Sequence, residues 1–257
     1  MKIIDSHAHL MDEMYENDIE EVIQRCQDND MEYIVNIGYD KLSSYQAVEF
    51  ANQYDWMYAT IGMHPDVCNE KECKIDFIRE LAKNKKVVAI GEIGLDYHFN
   101  KEEHQIANQK QHFIEQIQLA NELLLPVVIH SRDADMDMLQ ILKENRINKG
   151  FVMHCFSSSV EVAKEILKLD GYISIAGTVT FKNAKHPKEV AKMVPIDRLL
   201  VETDSPYLTP EPFRGKRNEP WHVWETAKAI AEIKEIPLEN FLKEVNGNSE
   251  RFYQITK

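Results

Sequence analysis

Val87-Val88-Ala89-Ile90-Gly91-Glu92-Ile93, then a polar stretch with helical spacing from about Asn100 to Leu125, then Pro126-Val127-Val128-Ile129-His130: this succession decides the fold. Both runs are short, rich in β-branched residues and nearly continuous in apolar character, which is how strands covered on both faces of a parallel sheet read. The stretch between them sets Ile106, Phe113, Ile117, Ala120 and Leu124 at helical spacing and stops before Pro126, which cannot continue a helix. Outward from this unit the pattern recurs. Apolar runs at Ile3–Asp5, Tyr33–Gly38, Met57–Gly62, Phe151–His154, Tyr172–Ala176 and Leu199–Glu202 bring the total to eight. Helical spacing follows them: Asn17 or Asp18 caps a segment with Ile19, Val22, Ile23 and Cys26; Asp135–Asn145 carries Met138, Leu139, Ile141 and Leu142; Ser159–Leu169 opens on a capping serine; and two further helices from about Trp221 split near Pro237.

Eight alternating units imply an α/β fold with a parallel sheet, and closure into a (β/α)8 TIM barrel is the usual outcome for eight. A doubly wound open sheet is the alternative. At 257 residues the chain is near the upper limit for one core, and no Gly-rich or low-complexity linker divides it, so residues 1–257 read as a single domain rather than two small ones. Hydrophobic residues make up 44% and charged residues 28%, an ordinary globular composition. The formal net charge of −13 argues against a protein that coats duplex nucleic acid, though bound divalent cations reverse the local sign at a phosphate site. Cys26, Cys68, Cys73 and Cys155 form no C-x-x-C pair, hence neither a zinc ribbon nor a disulfide framework. No apolar run approaches a membrane span, and a first strand at Ile3 leaves no room for a signal segment. A cytoplasmic protein, not membrane-inserted and with no readable obligate protein partner, is expected.

The polar residues that end these strands carry the chemistry. His7 and His9 close the first strand, His64 follows the third, Glu92 ends the fourth, His130 the fifth and His154 the sixth, and Asp204 follows the eighth. In an eight-fold barrel all strand ends meet at one mouth, where catalysis sits. Residues two apart on a strand face the same way, so His7 and His9 can reach one ion, although the pair alone is weak. His130 or His154 taken singly reads rather as a hydrogen-bonded core histidine than as a ligand. Glu92 needs a partner to stay charged at a buried strand end, be it a metal or a loop cation, and Gly91 and Gly94 leave room beside it for a ligand or a close backbone approach. Glu202, two before Asp204, sits deeper, either orienting a ligand or in a buried ion pair.

Four imidazoles and two carboxylates exceed one tetrahedral zinc site and suit two divalent ions: His7, His9 and Asp204 on one, His130 and His154 on the other, Glu92 bridging. Magnesium, manganese and zinc all remain open. Two carboxylates against two dications leave the mouth locally cationic, which favours a phosphate. The loop Pro212-Phe213-Arg214-Gly215-Lys216-Arg217-Asn218-Glu219-Pro220 follows the last strand. In it Arg214 can grip a phosphate, Asn218 can donate to a base or phosphate, and a helix beginning at Pro220 favours an anion; a solvated basic loop is the plain alternative. His64 can donate to substrate or serve as a turn residue, and Arg132 is a weaker candidate.

These residues occur within Ile4-Asp5-Ser6-His7-Ala8-His9, Gly62-Met63-His64-Pro65, Ile90-Gly91-Glu92-Ile93-Gly94-Leu95-Asp96-Tyr97, Val127-Val128-Ile129-His130-Ser131-Arg132, Met153-His154-Cys155-Phe156 and Glu202-Thr203-Asp204-Ser205-Pro206-Tyr207-Leu208. Together, in this order from Ile4 to about Pro220, they resemble the TatD family of metal-dependent hydrolases; Gly177–Ala184 is similar to that family's seventh-strand loop. The resemblance implies a TIM barrel with one or two metals and DNase-type phosphodiester hydrolysis needing magnesium or another divalent ion. It implies metal ligands at His7, His9, Glu92, His130, His154 and Asp204.

The expected function is a divalent-metal-dependent phosphodiester hydrolase, a deoxyribonuclease acting on DNA by attack of a metal-activated water, with Asp204 aiding its deprotonation. An open mouth without an extended basic groove suits single-stranded ends. The alternative is an amidohydrolase-like enzyme cleaving an amide, ester or other phosphoester. Its lysine-bridged subclass is disfavoured, because Glu92 stands at the end of the fourth strand and the nearest preceding lysines, Lys85 and Lys86, come before the strand. A metal-retaining binding module is the non-enzymatic reading, against which the open mouth argues.

Overall fold

A computed structural model describes residues 1–68 and 74–255; Cys73 and the last two residues of the chain lie outside the described residues. The eight apolar runs are strands β1 (Ile3–Ala8), β2 (Met31–Ile37), β3 (Met57–Ile61), β4 (Val87–Asp96), β5 (Val127–Arg132), β6 (Phe151–Met153), β7 (Tyr172–Ile175) and β8 (Leu199–Val201). They follow one another in sequence order, each parallel to the next. The ring closes just past β8: Ala8 bridges Ser205, His9 N donates to Ser205 O at 2.8 Å, and Asp204 N donates to His7 O at 3.0 Å. Beneath this seam the buried Asp5 carboxylate accepts from Thr203 N at 2.9 Å and Thr203 Oγ1 at 2.5 Å. The sheet is a closed barrel, and the open doubly wound alternative does not apply.

Helices surround it: α1 (Ile19–Asp28), α2 (Lys41–Gln53), α3 (Asp76–Leu81), α4 (Glu103–Leu123), α5 (Asp135–Glu144), α6 (Val160–Lys168), α7 (Lys185–Met193), α8 (Val223–Ile233) and α9 (Leu238–Phe252). The long α4 stops where expected, with Leu124 in the left-handed conformation (φ 58°) ahead of Pro126. Ser159 caps α6 by accepting from Val162 N at 3.3 Å. Asp18 stands at the N-terminus of α1, but its side chain makes no capping hydrogen bond and instead holds Arg217, in the loop after β8, at 2.6 Å. Among the described residues no helix is long and apolar enough to cross a membrane.

Alternation along the strands builds two cores. Val127, Ile129, Phe151, Met153, Leu199 and Val201 pack outward under the helices. Val128, Val152, Leu200, Ile4, Tyr33 and Val35 face inward, where Phe252 and Tyr253 from the end of α9 join them. Each fully buried side chain of this size contributes about 1.5–3 kcal/mol. The Tyr253 hydroxyl donates to Ser6 O at 2.8 Å, which anchors the C-terminal segment to the interior of β1.

The inward set also aims the chemistry. Two residues beyond Val128, Val152 and Leu200 come His130, His154 and Glu202, so the period of two that fills the barrel lifts these side chains to its C-terminal mouth.

Gly94 is where β4 and β5 come closest. Its φ is +147°, and a Cβ there would lie 2.0 Å from His130 O. The glycine serves close backbone approach rather than room for a ligand. Gly94→Ala is therefore expected to destabilise the fold at or above the ~1–3 kcal/mol usual for overpacking. Urea denaturation measures this, and an unchanged midpoint would show that β4 and β5 separate easily.

Candidate metal centre

Glu92 organises the mouth. Its carboxylate is 4% exposed, and its two oxygens face different partners. Oε1 lies 2.7 Å from His154 Nε2, 2.9 Å from His130 Nδ1 and 3.6 Å from His64 Nε2. Oε2 lies 3.5 Å from His7 Nε2 and 3.9 Å from His9 Nε2. On the far side of that pair, Asp204 Oδ1 lies 3.5 Å from His7 Nε2 and 3.4 Å from His9 Nε2. The structure thus gathers His7, His9 and Asp204 into one group and places His130 and His154 in another, with Glu92 between them. The donor atoms of His7, His9 and Asp204 converge closely enough to hold a cation, as do those of His7, His154 and Glu202, which ties the two groups together; those of His64, Glu92 and His130 are equally close, but the His64 nitrogen facing the mouth carries a proton.

The imidazoles are presented with a defined nitrogen inward. His9 Nδ1 lies 3.0 Å from Ile37 O, a carbonyl that can only accept, so Nδ1 carries the proton and Nε2 keeps a lone pair for the mouth. His130 Nε2 donates to Asp96 Oδ2 at 3.0 Å, which leaves Nδ1 facing Glu92. His154 Nδ1 faces Glu202 Oε1 at 3.4 Å, an ion-pair distance rather than an aligned hydrogen bond. His7 lacks such backing: its Nδ1 is buried with no hydrogen-bond partner among the described residues. A carboxylate or carbonyl behind an imidazole fixes its tautomer and raises its basicity as a ligand, so the donor set fits divalent ions.

His64 has the opposite tautomer. Its Nδ1 accepts from Asp66 N at 3.2 Å, so in the neutral ring the proton sits on Nε2, toward the mouth. Burial pushes its pKa down to about 3, and the ring stays neutral at physiological pH. Such a nitrogen donates a hydrogen bond and offers no lone pair to a metal.

Charge is held here by mutual compensation. Burial opposes ionisation of Glu92, but His154, His130 and His7 outweigh it and keep the carboxyl well below the usual carboxylate range. Burial likewise opposes protonation of His154, yet Glu92 and Glu202 hold it well above the usual imidazole range. Burial and neighbouring His154 lower His7.

Glu202 is 1% exposed, and besides facing His154 it accepts from Cys155 N at 2.6 Å. Asp96 was assigned no role from sequence. The signal was nonetheless there, because Glu92, Gly94 and Asp96 are spaced two apart on one strand and so share a face.

The β8 loop corrects two expectations, for Asn218 and for the helix beginning at Pro220. Asn218 is fully buried and its amide is saturated. Nδ2 donates to Thr203 O at 3.1 Å and Tyr207 O at 2.6 Å, while Oδ1 accepts from Glu219 N at 2.9 Å and His222 Nδ1 at 2.8 Å. It fastens the loop and has no group left for substrate. The turn beginning at Pro220 is a single 3-10 turn, and the carboxylate of Glu219 already stands at its start, paired with Arg25 at 2.8 Å and Arg217 at 3.4 Å. No external anion is needed there. Arg214 is exposed but lies outside the ring of histidines, its guanidinium 3.9 Å from the centre of the Phe181 ring.

A barrel with this donor set at its mouth defines a metal-dependent hydrolase. The TatD related DNase family matches residues 4–254. The chain is 49% identical to the uncharacterized metal-dependent hydrolase YabD of Bacillus subtilis (strain 168), over 98% of this chain and 99% of that one. It is 37% identical to the uncharacterized metal-dependent hydrolase YcfH of Escherichia coli (strain K12), over 99% and 97%. The crystal structure of YJJV, a TatD homolog from Escherichia coli K12, superposes with a TM-score of 0.89 at 27% identity, over 99% of this chain and 98% of that one. The chain belongs to the TatD family of metal-dependent hydrolases.

Asp96→Asn removes the charge behind His130 while keeping its shape, and a loss of backing carboxylates typically costs ~10–100-fold in metal affinity. Calorimetric titration of the metal-free protein with manganese is expected to show that loss. Wild-type affinity in the variant would mean that Asp96 does not support a ligand.

Proposed function

We propose that this protein is a deoxyribonuclease that uses two divalent ions to hydrolyse phosphodiesters at single-stranded ends. The observation that carries the reading is the convergence of His7, His9, His130, His154 and Asp204 about a carboxylate that spans two groups of donors, with Ile37 O behind His9 and Asp96 behind His130. His7, His9 and Asp204 would hold one ion and His130 and His154 the other, with Glu92 within reach of both. Magnesium, manganese or zinc bound there supplies Lewis-acid activation of water and neutralises charge in an in-line displacement.

The remaining steps belong to the chain's own groups. The Asp204 side chain, 15% exposed against 6% for Glu92, is the carboxylate open to the mouth and takes the proton of the attacking water. Neutral His64 donates from Nε2 to a phosphate oxygen. Tyr39 and Tyr207 wall the hollow and orient the nucleoside beside the phosphate. The hollow measures about 280 Å³. That is at or below the ~300–1,000 Å³ of small-molecule sites, so it fits one phosphate with its neighbouring groups and does not enclose a duplex. The overall charge of −13 is consistent with weak retention of long duplex. A reducing, cytoplasmic setting completes the reading, in keeping with free thiols at Cys26 and Cys155.

End-labelled single-stranded DNA incubated with the protein and magnesium, manganese or zinc is expected to yield a ladder shortening from one end. Asp204→Asn should slow it by on the order of 10²–10⁴-fold, the usual worth of a positioned proton acceptor. Folded, metal-loaded protein that leaves the DNA intact with every ion would transfer the assignment to a small-molecule hydrolase.

A further inference from the structure

Resting on the nuclease reading, we infer that the loops after β6, β7 and β8 form a one-sided track for single-stranded DNA, which ends on a stacked Phe181–Arg214 platform. Three hollows lie in a row. The first is the mouth itself. A second, of about 370 Å³, shares His130, His154, Asp204 and Tyr207 with the mouth and extends between Arg132, Ser157, Thr178 and Leu208. A third, of about 450 Å³, shares Thr178 and Pro187 with the second and is lined by Phe181, Lys182, Asn183 and Arg214, with Glu211 at its edge. A strand whose phosphate sits at the histidines therefore has adjoining hollows to follow out of the mouth.

The side chains along this path suit a polynucleotide. Arg214 lies 3.9 Å from the Phe181 ring centre, and Arg132 lies 5.4 Å from the ring of Phe99, which is 74% exposed. Neither guanidinium forms an ion pair with another described residue; Arg25, Arg79, Arg198 and Arg217 do, while Arg146 and Arg251, also without one, line none of these three hollows. Two unneutralised cations, each against an aromatic face and both facing a groove continuous with the metal centre, form a local basic path on an acidic protein. Aromatic faces stack bases without sequence preference, and the guanidinium edges bind phosphates.

The opposite side of the mouth has the reverse character. Asp66 lines it. Tyr39, on the same wall, feels the carboxylates of Asp40 and Asp12. A backbone phosphate is repelled there, so the strand extends in one direction only and its terminal nucleotide lies toward Tyr39.

The test compares kcat/KM for a dinucleotide with that for a longer single-stranded oligodeoxynucleotide, using metal-loaded full-length protein. In the wild type kcat/KM rises with length and levels off once the strand reaches Phe181. Phe181→Ala and Arg214→Ala should each reduce the ratio of long to short by about tenfold, the scale of one base stack. Arg214→Glu should reduce it further. Arg214→Ala should also lower the slope of log KM against log salt by about 0.7, one phosphate contact on a single strand. Lys143→Ala, on the outer face of α5, controls for net charge and leaves the ratio unchanged. If the wild type prefers the longer strand and all three track variants keep that preference, the track is wrong while the nuclease reading stands. If the wild type cleaves neither substrate, both fall.

Discussion

A single buried carboxylate constrains everything around it. Glu92 ends β4 inside the barrel mouth, and an ionised carboxylate removed from water is tolerable only when compensated on all sides. Each oxygen therefore faces its own imidazoles, and the imidazoles are steadied from behind by Ile37 O, Asp96 and Glu202. The cost of gathering so many polar groups is tolerable because the two apolar cores beneath them are complete and independent of the site. The mouth can hold charge because the barrel does not need it for stability.

The same constraint explains the seam and the loop after β8. Asp204 belongs to the site, yet it lies past the end of its strand and needs other means to hold its position. Its own N–H is bonded to His7 O, Thr203 is gripped by Asp5, and the following loop is fastened by Asn218 and by the cluster of Asp18, Arg25, Arg217 and Glu219. Most of the loop's polar residues are consequently structural. Of the loop's three cations Arg217 is neutralised internally, whereas Lys216 and Arg214 join no ion pair among the described residues, and Arg214 lies over a groove.

Much of this was legible along the chain because its signals are local. Continuous apolar runs separated by helical spacing marked eight covered strands, and the period of two carried His130, His154 and Glu202 up from Val128, Val152 and Leu200 without knowledge of any neighbour. The sharing of one mouth by His7 and Asp204 followed from the barrel alone. Asp18 does stand at the N-cap of α1, but its side chain pairs with Arg217 in place of the helix N–H groups, which no local signal shows. Asn218 was misread for the same reason, since an amide after a metal-site strand looks like a substrate donor and only the closed loop shows its four hydrogen bonds filled.

By itself, then, the sequence determined the strand count, the direction in which each strand-end side chain leaves its strand, and the chemical class of the donor set. These depend on backbone periodicity and residue type, which the linear chain carries in full. The tertiary structure alone decided which nitrogen of each histidine faces inward, that His64 turns a protonated nitrogen to the mouth while His9 turns a lone pair, and that Asp96 stands behind His130. Those outcomes depend on partners contributed by other strands, and the register of a closed barrel is what brings them within hydrogen-bond reach.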